Sequence, residues 1–396
     1  MHPLNLPLNP EEIADLVRWR RFLHREPELS LVEHDTQAWL LQTLAALGAK
    51  DVRKVGDTGL ALRLGPKNVQ KTLLLRADMD ALPIQEQTGL EFASRRPGQM
   101  HACGHDGHMA CLLAVTRRLI AHEHELPGQV VVAFQPGEEG GMGAVKMMDE
   151  GLLTGAWLPG EAQQVDAAYG LHLWSPLPVG TVSCAPGPTM AAVDDFTVVI
   201  RGRGGHGALP HTACDAIVVA SHVVLALQTI ASRRSDPLDP VVVTVGSLHG
   251  GSAFNVVAEE VTLRGTVRTY SKELGEKVPH WLEEIARLTA QAHGATAHTT
   301  YKRYTIALRN DARLAERILT VAAQTPGVQL VDRELRMMAG EDMAYILDAV
   351  PGCFFFVGCG GPQAEPHHSP RFVVDEAALP IGAQVMLGAV VDYFQG

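Results

Sequence analysis

The densest grouping of reactive side chains in the sequence is His101-Ala-Cys103-Gly-His105-Asp106-Gly-His108. Cysteine and histidine are donors for borderline metals such as zinc, and Gly104 lets the backbone turn tightly enough to aim Cys103 and His105 at one point. Standing alone, Cys-x-His could equally be a polar loop with incidental histidines. A second grouping, Gln135-Pro-Gly-Glu138-Glu139-Gly-Gly-Met-Gly143, sets two adjacent carboxylates on a glycine-rich turn. They can point different ways, one to a metal and one to a water. A metal lowers the pKa of bound water towards ~7, and a nearby carboxylate can take its proton and pass it to a leaving amine. Glu-Glu alone would read as a solvated acidic turn. Two such groupings, joined by His172 in Gly170-Leu-His-Leu-Trp174 and His368 in Pro366-His-His-Ser-Pro370, give five protein donors, enough for two metals bridged by one of them.

The elements that must position these residues can be read from periodicity. Helical patterning runs over residues 10–48 with a break at Pro27. Residues 72–76, 129–134 and 165–173 read as strands, and 106–121 as a helix with Asp106 near its positive end. The two polar groupings and His172 thus follow or end strands, which is where open α/β sheets bind ligands. From residue 190 to 305 the rhythm becomes strand, helix, strand, strand, helix, strand (196–201, 215–232, 241–248, 260–270, 271–293, 295–304), the ferredoxin-like order. Afterwards the α/β alternation resumes, with helices at 311–324, 341–347 and 375–393 and a strand at 353–357. The expectation is a discontinuous α/β domain, 1–189 and 306–396, carrying an inserted α+β domain at 190–305.

Bulk properties narrow the class. A chain of 396 residues exceeds one typical core. A net charge of -11 without a Lys/Arg run excludes nucleic acid as an expected partner. Residues 1–12 lack the basic and apolar regions of a signal peptide, and the most apolar helical run, 217–230, is too short to span a bilayer, so no membrane partner is expected. Six cysteines without disulfide-scaffold spacing fit a reduced, cytoplasmic protein. Gly202-Arg-Gly-Gly-His-Gly207 matches G-x-G-x-x-G, but Pro210 and His211 follow where a helix should begin, so a dinucleotide site is not expected. His122-Glu-His-Glu-Leu126 lacks the second histidine of a zincin at the required spacing, and no G-x-S-x-G elbow is present.

Longer motifs carry a resemblance. Arg76-Ala-Asp-Met-Asp80-Ala-Leu-Pro83, His101 to His108, Phe134-Gln-Pro-Gly-Glu-Glu-Gly140, Gly170 to Trp174, Gly204-Gly-His-Gly-Ala208, Phe254-Asn-Val-Val257, Gly340-Glu-Asp342 and His368-Ser-Pro370 resemble, in order and along essentially the whole chain, the amidohydrolase branch of the aminoacylase and carboxypeptidase G superfamily. That branch includes hippurate hydrolase and the plant auxin-conjugate hydrolases. The resemblance implies a dinuclear-metal amidohydrolase that cleaves N-acyl or N-aroyl amino acids to a carboxylate and a free amino acid. Cys103 would bridge two divalent ions, with His105 and His368 on one and Glu139 and His172 on the other. Glu138 would be general base and then acid, and Asp80 would orient a ligand. His206 would donate to the tetrahedral oxyanion, and Asn255 and Arg268 would grip the substrate carboxylate. The inserted domain would dimerise, with His206 reaching the partner subunit's site, so a homodimer or higher homo-oligomer is implied.

Mixed sulfur, nitrogen and oxygen ligation suits zinc, manganese, cobalt or nickel. The chain departs from the family pattern at His367, where leucine usually precedes His-Ser-Pro, leaving either His367 or His368 as the ligand. Ala258 and Ala216 stand where the pattern usually has proline. Two alternatives remain: a metal-dependent dipeptidase or carboxypeptidase on the same scaffold, and a non-catalytic metal or small-molecule binding protein. The intact Glu138 speaks against the latter.

Overall fold

The computed structural model describes residues 2–67, 69–158 and 163–395. The chain divides into two compact units, Met1–Gly187 with Arg309–Leu335 and Asp342–Gly396, and Pro188–Leu308 with Arg336–Glu341.

The first unit opens with α1 (Pro10–Arg25), started by a reciprocal Asn9/Glu12 capping box, and α2 (His34–Ala46). Then come β1 (Arg53–Lys54), β2 (Leu60–Leu64), β3 (Thr72–Asp78), α3 (His105–Ala121), β4 (Gln129–Gln135), α4 (Gly143–Asp149), β5 (Ala167–Pro178) and β6 (Thr181–Ser183). Short strands β7 (Gly187–Met190) and, much later, β14 (Leu308–Asn310) mark the crossings to the second unit and back. The first unit is completed by α7 (Ala312–Gln324), β15 (Leu330–Asp332), α8 (Met343–Ala349), β16 (Gly352–Gly360) and α9 (Ala378–Gln395).

Its sheet runs β1-β2-β4-β3-β5-β16-β6-β15. The central strands β4, β3, β5 and β16 are mutually parallel. Every residue of β3 and β4 is buried, as expected where helices cover both faces of a parallel sheet. Phe354, Phe355 and Phe356 of β16 are likewise fully buried. Within this apolar packing, Arg76 and Asp78 of β3 stand out as buried charges.

The second unit consists of β8 (Ala192–Arg201), β9 (Gly205–His206), α5 (Ala216–Leu227), β10 (Val241–Gly250), β11 (Val256–Val257), β12 (Glu260–Thr269), α6 (Lys272–Ala292) and β13 (Thr296–Thr305). The antiparallel sheet order β10-β12-β8-β13 is the ferredoxin-like topology expected from the sequence. Alternate residues of β8 are buried, so this sheet packs on one face only. Phe196, Val198 and Ile200 meet Val219 and Val223 of α5 and Val278 and Leu282 of α6 in a separate core. Helix α5 runs on through a π-helical turn, Ile230–Arg234. Ala216–Arg234 therefore spans 19 residues at mean hydropathy 1.5, longer than the apolar run read from the sequence. Its inner face, including Ala216, Ala220 and Leu227, packs into that core, while Ile217, Val218 and Leu225 on its other side are exposed.

Candidate metal centre

Strands β4, β3 and β5 lie side by side; β4 and β3 end at one edge of the sheet, and β5 runs on past it. β4 leads into Glu138 and Glu139, β3 leads into Asp80, and β5 carries His172 just beyond its last pairing with β3, Arg76 with Gly170. The loop before α3 supplies Cys103. Gly104 occupies the N-cap with φ of 92°, a left-handed turn that glycine adopts without cost, and His105 opens the helix.

Two triads of donors converge on Cys103. The coordinating atoms of Cys103, His105 and His172 all lie within 4.8 Å of one another, and so do those of Cys103, Glu139 and His368. Cys103 Sγ is 3.5 Å from His172 Nε2, and His368 Nε2 is 3.3 Å from Glu139 Oε1. The cysteine is thus common to both groups, but the histidines divide differently from what the resemblance implied: His105 pairs with His172, and His368 with Glu139. Glu138 groups with His105 and Glu139 within the same 4.8 Å.

The adjacent His367 is engaged elsewhere. Its ring stacks on Trp174, and its Nε2 accepts a hydrogen bond from Ser175 N at 3.1 Å. Burial, and then the neighbouring His108 and His368, push its pKa down to about 3. His368 takes a left-handed backbone, φ 66°, that delivers it to Glu139.

The donor set fits cations. His172 Nδ1 lies 2.7 Å from Leu173 O and His105 Nδ1 lies 2.8 Å from Asp80 O, so each ring donates from Nδ1 and leaves its Nε2 lone pair for a metal. His105 Nε2 and Glu139 Oε1 are buried without a hydrogen-bond partner among the described residues. Burial, followed by the negative charges of Glu139, Glu138 and Asp78, pushes the Cys103 thiol well above its ordinary range. Burial alone would lower His105, but Asp78 and Asp80 raise it to about 10. Protonating His105 and binding a divalent cation are alternative answers to the same negative field. Burial first, then repulsion from His108 and His367, holds His172 well below the usual imidazole range, as a neutral ligand requires.

Residues behind the donors hold them in place. Asp80 accepts from the amides of Glu138 (3.0 Å) and Glu139 (2.9 Å) and from the Ser30 hydroxyl (2.6 Å). Asp78 receives His108 Nδ1 at 2.6 Å and Arg76 Nη1 at 2.9 Å, while His108 Nε2 accepts from Leu173 N beside His172. Arg76 also reaches Asp342, which is gripped by Gln135 Nε2 and Ala144 N. Sequence reasoning gave no role to Asp78, His108 or Asp342. The available signal was two charged residues, Arg76 and Asp78, inside an otherwise apolar strand.

The three remaining expected residues lie in the second unit. His206 pairs through β9 with Val256 of β11, and its exposed ring accepts from Ala208 N at 3.0 Å. Asn255 is exposed on the same ribbon, its carbonyl taking Gly207 N at 2.8 Å. Arg268 is half-buried in β12, and burial lowers its pKa against the pull of Asp194.

Residues 74–392 match the family described as Peptidase family M20/M25/M40. The chain belongs to this family. Within M20, it is 38% identical over 96% of its length, and 87% of the relative's, to an N-acetyl-L-cysteine deacetylase of Bacillus subtilis. It is 42% identical to an N-acyl-L-amino acid amidohydrolase of Geobacillus stearothermophilus, over 72% of this chain and 74% of that one. Among solved structures, the Bacillus subtilis YXEP protein, described as a dinuclear metal binding peptidase from the M20 family, superposes with a TM-score of 0.84 at 31% identity, covering 98% and 99% of the two chains. These relatives place the chain in the amidohydrolase branch of M20, as a hydrolase of linear amides with small-molecule substrates.

Proposed function

We propose that this M20 chain is a dinuclear-metal amidohydrolase that cleaves the amide bond of N-acyl or N-aroyl amino acids, hippurate-like substrates included, to a carboxylate and a free amino acid. The observation that carries the reading is the sharing of Cys103 between two three-donor groups, with Glu138 beside both. His105 and His172 would complete one site, Glu139 and His368 the other. When bound, zinc, manganese, cobalt or nickel ions would supply Lewis-acid polarisation and acidify a water.

The chain's own groups do the rest. Glu138, its amide tied to Asp80, takes a proton from the attacking water and returns it to the departing nitrogen. His206 is assigned the oxyanion, and Asn255 and Arg268 the substrate carboxylate, on resemblance. A homodimer and a cytoplasmic location complete the proposal.

The test is ninhydrin-detected amino acid release from N-acetyl, N-benzoyl and indoleacetyl amino acids and from free dipeptides, each with EDTA and with re-added metals. Metal-dependent release from the acylated set supports the reading and names the acyl group. Release from dipeptides alone overturns it in favour of a dipeptidase, and silence across the panel with metal bound overturns catalysis altogether.

A further inference from the structure

The loop from Pro136 to Gly143 carries both Glu138 and Glu139, and its shape is determined by what grips it. It closes on itself, with Gly141 N and Gly143 N donating to Gly137 O at 3.0 and 3.2 Å. Gly137 is left-handed at φ 60°, and a Cβ on Gly143 would fall 1.6 Å from Pro136 O, so neither position admits a side chain.

A short segment between α1 and α2 clasps this loop. Leu31, itself left-handed at φ 63°, lays its side chain over Gly137 and Gly141, where an added Cβ would approach it to 2.8 Å in each case. Two residues on, Glu33 is completely buried, accepts Gly137 N at 2.9 Å through Oε1, and receives the Thr58 hydroxyl on Oε2. It makes no ion pair among the described residues, an expensive setting for a carboxylate unless its acceptor role matters. Asp80 then takes the next two amides, those of Glu138 and Glu139. Three consecutive N–H groups are thus held by two buried carboxylates. Residue 33 precedes the family-matched span, 74–392.

We propose that Glu33 is a positioning residue for Glu138: by accepting the Gly137 N–H it fixes the backbone from which the proton-transferring side chain projects. The inference rests on the assignment of Glu138 above. What the loop requires from residue 33 is a hydrogen-bond acceptor at full glutamate reach, not a charge. Glutamine meets that requirement, keeping an oxygen for Gly137 and turning its NH2 to the Thr58 oxygen. Aspartate keeps the charge but, one methylene shorter, withdraws the acceptor.

The experiment compares Glu33→Gln, Glu33→Asp and Glu138→Gln for kcat, KM, melting temperature and bound metal by elemental analysis. The expected result is Glu33→Gln within about threefold of wild type in kcat. Glu33→Asp should fall roughly ten- to hundredfold in kcat, the scale set by misplacing a catalytic group. Its KM should stay within about twofold, with both metals retained. The reverse order, equal activity of the two variants, or loss of metal in step with activity overturns the proposal. Glu138→Gln tests the underlying reading separately: an active Glu138→Gln removes the base, whatever the Glu33 variants do.

Discussion

His367 and Trp174 lie face to face, their ring centroids 4.3 Å apart and 23° from parallel, while the next residue, His368, stands 3.3 Å from Glu139. Two adjacent histidines of identical chemistry are thus given to packing and to the donor cluster respectively. His367→Leu should keep two bound metals per chain and a kcat within about threefold of wild type. It strands the buried Ser175 amide, so stability should fall by roughly 1–3 kcal/mol. His368→Ala should lose one metal and most activity. Metal analysis and urea denaturation of the two variants check this, and a metal-deficient His367→Leu would reverse the assignment.

The shared cysteine predicts a stoichiometry. Cys103→Ala removes a donor from both groups and should reduce occupancy at both sites. Glu139→Ala and His105→Ala should each weaken one site while leaving the other. Competition with a chromophoric chelator resolves the two binding steps. Equal weakening of both steps in all three variants would contradict the division into two groups.

Glu138 is grouped with the donors, yet its assigned task is to move a proton. Glu138→Gln should therefore retain two metals and lose at least about a hundredfold in kcat, the usual scale of general acid–base catalysis. Steady-state kinetics alongside metal analysis decide it, and near-normal turnover in the metal-loaded variant would refute the role.

Much of this was legible in the sequence because the chemistry sits in compact motifs at strand ends. Cys103 and His105 are two residues apart, and Glu138 and Glu139 are neighbours, so no long-range geometry was needed to bring the members of each pair together. The ferredoxin-like unit was readable because its strands and helices differ clearly in period. The division of histidines between the two donor groups was not readable, since it depends on which strand lies beside which helix. Neither was the choice of His368, because Trp174 and Ser175, which engage His367, are nearly two hundred residues away in sequence. Glu33 gave no signal: a single glutamate after an apolar pair reads as solvated surface, and only the structure places it under Gly137. The same is true of Arg20, His24 and Asp106, which form one buried polar cluster from residues distant in sequence.

That cluster makes a prediction about pH. His24 is buried, with Nδ1 2.9 Å from Asp106 Oδ2 and Nε2 3.3 Å from Glu86 Oε1. Burial alone would lower its pKa, but the charge of Asp106 and hydrogen bonds to Asp106 and Glu86 outweigh it, and the net shift is upward. A histidine whose folded pKa lies above its unfolded value of about 6.5 binds its proton more tightly in the native state. The resulting stabilisation is complete below about pH 6.5 and fades as pH rises through the folded pKa. His24→Gln keeps a polar side chain without the charge. The gap in melting temperature between wild type and this variant should therefore be widest below about pH 6.5 and narrow as the pH is raised above it. Thermal melts of both proteins at matched ionic strength on either side of that pH are the measurement. A gap that stays constant with pH would mean that His24 binds its proton no more tightly in the folded protein than in the unfolded chain, which would refute the upward shift.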